Sequence, residues 1–374
     1  MNNKCIVIFA AYIYPHLGGI ESYLDNLINE LHKLKYNIVI VTSNWDDEKE
    51  FEKTEKYDVL RIPVLNLFKK RYPIPKKGNK LKSIFKKLDE YNISTIIVNT
   101  RFHLTSHIGA DYAKKNNIPC FLIEHGSSYI TLNNKILDFF ANRYEDYLTR
   151  RIKNKITGFY GVSNRCNEWL KKINIKASGT FNNAIDKECY KRYHNKVTNN
   201  KIIITYAGRI LYEKGVGNLL EAFSSINNKN CELIIAGDGN ALDELKTKYK
   251  SKNIKFLGRI NHDEVMNLFD KTDIFVYPSM YPEGLPTSIL EAGIMKCAII
   301  ATDRGGTVEV INSRDLGIIV EENVEDLTDK LKYLIDNPKE INRLKENIHD
   351  RVLNDYIWEK TAKTIIKEIK KYEK

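Results

Sequence analysis

Apolar residues fall in short blocks along this chain, and the blocks alternate with stretches of helical period. Residues 6–11, 37–42, 59–62, 95–99, 119–124 and 156–162 are brief and rich in Ile, Val and Phe, as strands covered on both faces are. After the first block, Tyr23, Leu24, Leu27, Ile28 and Leu31 recur three and four apart from about Ile20, and further helices are predicted over 80–91, 105–116, 133–153 and 165–173. A polar, turn-rich stretch covers 182–200, and then the rhythm restarts. Strands are predicted over 202–206, 232–236, 254–257, 273–277, 298–302 and 316–320, with helices over 216–226, 242–249, 263–270 and 286–296 and a last one over 358–372. This alternation predicts two mostly parallel α/β sheets covered by helices: 1–183, a connection over 184–200, 201–355, and a C-terminal segment from 356 to 374.

Ligands of open parallel sheets sit beyond the carboxyl ends of the strands, and the informative loops of this chain fall there. The stretch from Tyr277 to Ile300 is organised around Glu283-Gly284-Leu285-Pro286-Thr287, a turn leading into a helix for which Pro286 is a suitable first residue. First-turn amides from Gly284 to Ser288 make an anion site, best suited to phosphate, framed by Glu283 and Glu291. Acidic residues near a helix start are also favoured by the dipole alone. Arg209 and Lys214 follow the first strand of the second half and suit a diphosphate; an ordinary charged loop has the same composition. Gly18-Gly19 permits close backbone approach or simply turns the chain. Gly237-x-Gly239 lacks the third glycine of a dinucleotide fingerprint. His125, at the end of 119–124 and before Gly126, is a candidate polar or catalytic group or a satisfied structural histidine. Glu283 and Glu291 also invite comparison with a glycosidase pair, against which the surrounding amides favour phosphate over a neutral sugar.

Composition narrows the classes. The 374 residues, 43% hydrophobic, suffice for two α/β domains. Six scattered cysteines without a CxxC pair argue for a reducing compartment and against zinc or a disulfide framework, and no apolar run reaches the length of a membrane span, so a cytoplasmic location is expected. The net charge of +11 is concentrated: ten basic and no acidic residues lie between Arg61 and Lys87, among them Lys69, Lys70, Arg71, Lys76 and Lys77, interleaved with Leu67, Phe68 and Tyr72. This run reads either as a surface for an anionic inner-leaflet membrane or as a solvated basic face. Nucleic acid is disfavoured, since no motif for it accompanies the charge.

With these residues in hand, the chain resembles the retaining GT-B glycosyltransferases of family 4. Glu283-Gly-Leu-Pro-Thr-Ser-Ile-Leu-Glu291 matches the family's Glu-x7-Glu motif, and Gly208-Arg209-Ile-Leu-Tyr-Glu-Lys214-Gly215 matches its Gly-Arg-x4-Lys-Gly segment. Gly18-Gly19-Ile-Glu, Ala236-Gly-Asp-Gly239, Phe256-Leu-Gly-Arg259, Thr302-Asp-Arg-Gly-Gly306 and Tyr356-Ile-Trp358 support it. The resemblance implies two Rossmann-like domains facing a central cleft, with the C-terminal helix crossing back to the N-terminal domain. It implies transfer of a sugar from a nucleotide-diphosphate sugar to a hydroxyl acceptor, without metal or other cofactor. Arg209 and Lys214 would hold the diphosphate, the amides after Glu283 the distal phosphate, Glu283 the sugar hydroxyls and Glu291 the ribose. The Gly258-Arg259-Ile260 loop would meet the base, and Gly19 the phosphates; Gly18, Gly208 and Gly239 join the donor-binding set. His125 matches the family's N-domain histidine near the donor sugar, although the preceding Glu124 departs from the commoner pattern. The implied acceptor is a glycan or lipid-linked precursor of a capsule, O-antigen or cell wall, met at the inner membrane face. Two other readings stand beside this: a non-catalytic sugar-nucleotide-binding partner subunit, and a sugar-nucleotide epimerase on the same architecture.

Overall fold

A computed structural model describes residues 4–372 except 17, 68–71, 132–133, 196–200 and 227. The chain divides into two compact units: residues up to Asn182 together with Trp358 onward, and Asn183–Ile357.

The first unit contains β1 (Cys5–Ala10), β2 (Asn37–Asn44), β3 (Phe51–Lys53), β4 (Asp58–Leu67), β5 (Tyr72–Pro75), β6 (Ile93–Asn99), β7 (Cys120–Glu124), β8 (Gly158–Gly161) and β9 (Gly179–Thr180). They pair in the order β3-β4-β2-β1-β6-β7-β8-β9, with β5 added on β4; β3 and β5 are antiparallel to β4 and the rest are parallel. The alternation of side chains puts Val7, Phe9, Val39, Val41, Ile96 and Val98 into one apolar cluster, while Ile6 and Ile8 are equally buried on the other face. Trp358–Lys370, the last helix, packs on Gly19–Lys33 within this unit. Trp358 meets Tyr23 at 4.9 Å, and Thr361 Oγ1 donates to the Asn182 carbonyl at 3.0 Å. The return of the C-terminal helix to the N-terminal unit is therefore as expected.

The second unit holds β10 (Ile202–Ala207), β11 (Cys231–Ala236), β12 (Ile254–Gly258), β13 (Ile274–Tyr277), β14 (Ala298–Thr302) and β15 (Ile318–Val320), all parallel, in the order β12-β11-β10-β13-β14-β15. Ile204, Leu233, Ile274 and Ile300 bury one face; Phe275, Tyr277, Ile299 and Ala301 bury the other. The order steps from β10 to β13, so the loops after β10 and β13 rise side by side.

Three local features differ from the expectation. Two short strands flank the first sheet: β3 is charged and wholly exposed, and β5 contains two prolines, both compatible with edges only. Residues 184–193 are not a free connection. Ile185 pairs with Ile357, Cys189–Tyr193 is helical, and Ile185 and Cys189 are buried in the second unit's core. The run from Arg61 to Lys87 is not one basic face either. Arg61 is buried and paired with Glu48 and Glu52, and Lys87 with Glu90. Lys76 and Lys77 are exposed after β5, while Lys69, Lys70 and Arg71 lie outside the described residues. The six cysteines are buried free thiols. Among the described residues, no helix is long and apolar enough to cross a membrane.

Candidate functional site

Lys214 stands in a short 3-10 turn after β10, and its side chain is buried. The turn is seated by Gly215, whose φ of 70° and 1.9 Å clearance from a built Cβ to the Pro278 carbonyl oxygen leave room for no other residue. Met280 N–H donates to the Glu213 carbonyl at 2.9 Å, tying the same turn to the loop after β13. The loop carrying Glu283 is held on its other side by Gly305, at φ 58°, and by the Gly306 N–H bonded to the Gly284 carbonyl at 2.6 Å. These backbone contacts bring the Lys214 ammonium directly onto Glu283 Oε1, which also accepts from Tyr277 OH at 3.0 Å. Lys214 further lies 4.7 Å from the Tyr281 ring centroid. Burial, and then the charge of Arg209, push the Lys214 ammonium down to about 8; the Glu213 carboxylate acts the other way. A cation so placed has shed its water and exchanges one anionic partner for another at small desolvation cost.

Arg209 is exposed at the end of β10, its carbonyl accepting from Tyr206 OH at 2.7 Å. Gly208, also exposed, precedes it. Gly239 has a packing reason to be glycine: an added Cβ would lie 2.2 Å from the Ile210 carbonyl oxygen. Ile210 N–H donates to the Asp238 carbonyl at 2.9 Å, so the loop after β11 braces the one bearing Arg209.

The helix expected to begin at Pro286 runs from Thr287 to Ile294, with Pro286 as its extended cap and Ile289 N–H bonded to the Pro286 carbonyl at 3.3 Å. Thr287 and Ser288 head the helix, and their amides have no acceptor within its first turn. Leu285 is buried, its carbonyl held by Asn183 Nδ2 at 2.9 Å. One turn in, Glu291 Oε1 meets His262 Nε2 at 3.2 Å, and this hydrogen bond raises the His262 imidazolium above its ordinary range. Arg259 is exposed and Ile260 half-buried just before the helix His262–Asp270.

In the first unit, Gly18 caps Gly19–Lys33, and among the described residues a Cβ there would reach only the flexible Glu21 carboxylate, at 2.3 Å, and a Cβ on Gly19 would meet nothing within 4 Å. His125 follows β7, half-buried, with Nε2 on Asn99 Oδ1 at 3.1 Å and its ring edge-on to Tyr23 at 5.0 Å. Burial, aided by His103, lowers it to about 3, so the ring is neutral at ordinary pH. Glu124 does not share its environment. It is buried against Arg101 at 2.8 Å, and Arg101 also grips Glu145 at 2.8 Å and Thr149 at 3.2 Å. The departure from the family pattern at Glu124 is thus part of a buried ion triad. Its second oxygen accepts the Gly126 N–H at 3.3 Å, which fixes the loop after His125.

The structure thus brings together Lys214 and Glu283, which sequence reasoning gave separate tasks. It adds Tyr277, His262, Asn99 and Asn183, which that reasoning passed over. Tyr277 was findable as the last residue of a strand before the turn. The other three hold their partners across 29, 26 and 102 positions and leave no local signal. Among the described residues, no group of three His, Cys, Asp or Glu side chains is placed to hold a metal ion.

Comparison with known proteins agrees with this architecture. Residues 17–188 match the family described as Glycosyltransferase Family 4, and residues 188–351 match Glycosyl transferases group 1. An uncharacterized glycosyltransferase of Methanocaldococcus jannaschii is 26% identical over 96% of each chain. The GPI3 subunit of the phosphatidylinositol N-acetylglucosaminyltransferase of Saccharomyces cerevisiae is 23% identical over 96% of this chain and 81% of its own. The sucrose-phosphate synthase of Thermosynechococcus elongatus superposes with a TM-score of 0.80 at 17% identity, covering 98% of both chains.

Proposed function

We propose that this chain, a GT-B-type glycosyltransferase built of a family 4 domain followed by a group 1 domain, moves a hexose-type sugar from a nucleotide-diphosphate donor to a hydroxyl acceptor with retention at the anomeric carbon. The observation that carries this reading is the desolvated Lys214 ammonium held on Glu283, which also accepts from Tyr277 OH, beside the helix start at Thr287. Breaking the sugar–phosphate bond puts negative charge on the leaving diphosphate. Lys214, the nearby Arg209 and the first-turn amides stabilise that charge as it grows. A diphosphate arriving at Lys214 competes with Glu283, and the released carboxylate is then available to sugar hydroxyls. Glu291, steadied by His262, suits the two ribose hydroxyls. In the retained reaction the acceptor oxygen forms the new bond to the anomeric carbon on the face the diphosphate leaves, and the acceptor proton passes to the departing phosphate oxygen. No nucleophilic side chain is required, and His125, neutral, serves as a hydrogen-bonding group and not as a charged acid.

For the acceptor we infer a lipid-linked or surface-glycan precursor. The name of the yeast relative, which includes phosphatidylinositol, supports it. The test is release of nucleotide from UDP-, GDP- and ADP-sugars by the purified protein, followed by NMR of the product formed on a lipid-linked acceptor. One donor hydrolysed well above the others, with an anomeric coupling equal to the donor's, is expected. Binding without turnover would leave a partner subunit; a C-epimerised free donor in the absence of acceptor would make the chain an epimerase.

A further inference from the structure

Helix Lys135–Lys153 of the first unit carries an unusual outward face. Its inward positions are regular: Glu145, Leu148, Thr149 and Ile152 are buried. On the opposite side, positions 136, 139/140, 143/144, 147 and 150/151 follow the three-and-four spacing of one helical stripe. The stripe holds Ile136, Phe139, Phe140, Tyr144 and Tyr147, which are 70%, 57%, 65%, 44% and 57% exposed, with Arg143, Arg150 and Arg151 between them. Soluble surfaces rarely keep so much apolar area in one place without use for it. Leu137, also exposed, widens the patch.

The acids of this helix are kept off the stripe. Asp138 accepts from Thr131 Oγ1 at 2.8 Å, Asp146 from Tyr129 OH at 2.6 Å, and Glu145 is buried on Arg101. Large apolar side chains and arginines are therefore left to face outward together. Arg143 lies over the Phe139 ring at 5.5 Å, and Arg151 reaches Asp111 at 3.5 Å. Tyr72 of β5 adjoins the stripe at Tyr144. A second copy of this chain is a poor occupant, because its own arginines would meet these with no acid on the stripe to answer them. A bilayer surface with anionic headgroups answers both features: rings enter the boundary between headgroups and acyl chains, and guanidiniums meet phosphates while their stems lie along the apolar surface.

We propose that the outward face of Lys135–Lys153 docks the protein, lying flat, on an anionic lipid surface. The proposal rests on other residues than the basic run around Lys76 and Lys77, and it does not depend on the sugar-transfer reading, since Lys214→Met should bind vesicles as the parent does. The test is flotation of the purified full-length protein with vesicles of phosphatidylcholine alone and of phosphatidylcholine mixed with phosphatidylglycerol. Two variants accompany it, Phe139→Ser/Phe140→Ser and Arg143→Glu/Arg150→Glu. All four positions are exposed, so both variants should keep the parent's circular dichroism, thermal midpoint and rate of donor hydrolysis. The parent is expected to float with the mixed vesicles, and each variant to lose about tenfold or more of its partitioning. Three results would each overturn the proposal: no flotation of the parent, flotation unchanged in either variant, or a dimer in light scattering that the phenylalanine pair dissociates.

Discussion

Lys214→Met separates the two things the Lys214–Glu283 contact does. The change removes the charge and keeps the length and much of the volume of the side chain. Its effect on stability follows from burial. The Lys214 side chain is 7% exposed and that of Glu283 is 23%, which places the pair between a fully buried one, where loss of a partner costs about 3–5 kcal/mol, and a surface one, where it costs about 0–1 kcal/mol. Glu283 also keeps Tyr277 OH as a donor. A loss of about 1–2 kcal/mol is expected, or roughly 2–8 °C in the midpoint of a unit of this size. The effect on turnover is separate. A charge-assisted hydrogen bond to the leaving phosphate is worth about 1.5–3 kcal/mol, hence about 10–100-fold in kcat/KM. Adding Glu283→Gln, which removes the uncompensated carboxylate, should recover most of the thermal midpoint and none of the activity. The assays are differential scanning fluorimetry and nucleotide release from the preferred donor. If Lys214→Met turns over within about threefold of the parent, or if the double variant regains activity along with stability, Lys214 is a structural partner of Glu283 and the role given to it here is wrong.

Two glycines that look alike in sequence should behave oppositely. Gly215→Ala places a Cβ 1.9 Å from the Pro278 carbonyl oxygen at φ 70°, and should cost about 2–4 kcal/mol of stability in urea unfolding. Gly19→Ala meets nothing within 4 Å among the described residues and should leave stability within about 1 kcal/mol of the parent, so a rise in donor KM for that variant would report contact with the ligand. Stability should also fall with pH. His125 is held down to about 3, and His103 and His107 to about 4, all by burial. Below about 6.5 the unfolded imidazoles take up protons that the folded ones refuse, and each removes up to ~1.4 kcal/mol per pH unit. Glu145, raised by burial to about 7, works in the other direction between 4.5 and 7, and so does Glu21, also raised by burial, but they are two groups against three. Urea midpoints of the first unit at pH 5 and pH 7 measure the balance, and equal or reversed midpoints would refute it.

Most of the architecture is legible in the chain because buried parallel strands must be continuous apolar blocks, and those blocks are bounded by the Gly-, Pro- and Asn-rich loops that end them. The run 298–302 was readable to the residue for this reason. Strand β3 (Phe-Glu-Lys) and β5 (Tyr-Pro-Ile-Pro) were not, since an edge strand is selected for looking unlike a strand. Cys189–Tyr193 was hidden because it is one short turn whose anchor, Ile185, pairs with a residue far along the chain, Ile357. The site divides the same way. Arg209, Lys214, Glu283 and Glu291 announce themselves by residue type at strand ends. Their mutual relations do not, because Lys214 meets Glu283 only after Gly215 and Gly305 have pressed three loops together. Glu124 shows the limit most clearly. Read along the chain it is the neighbour of His125 and an irregularity in a motif. In space it belongs with Arg101 and with Glu145 and Thr149 of one helix, drawn from two other places in the sequence. A buried carboxylate is intelligible only through its cation, and that cation is 23 positions away. The outward stripe of Lys135–Lys153 is the converse case. Its helical period was readable, but a stripe facing solvent and a stripe facing a core are written in the same letters. What distinguishes them is that Glu145, Leu148 and Ile152 already fill the inner side. The phenylalanines are then left facing outward beside the arginines.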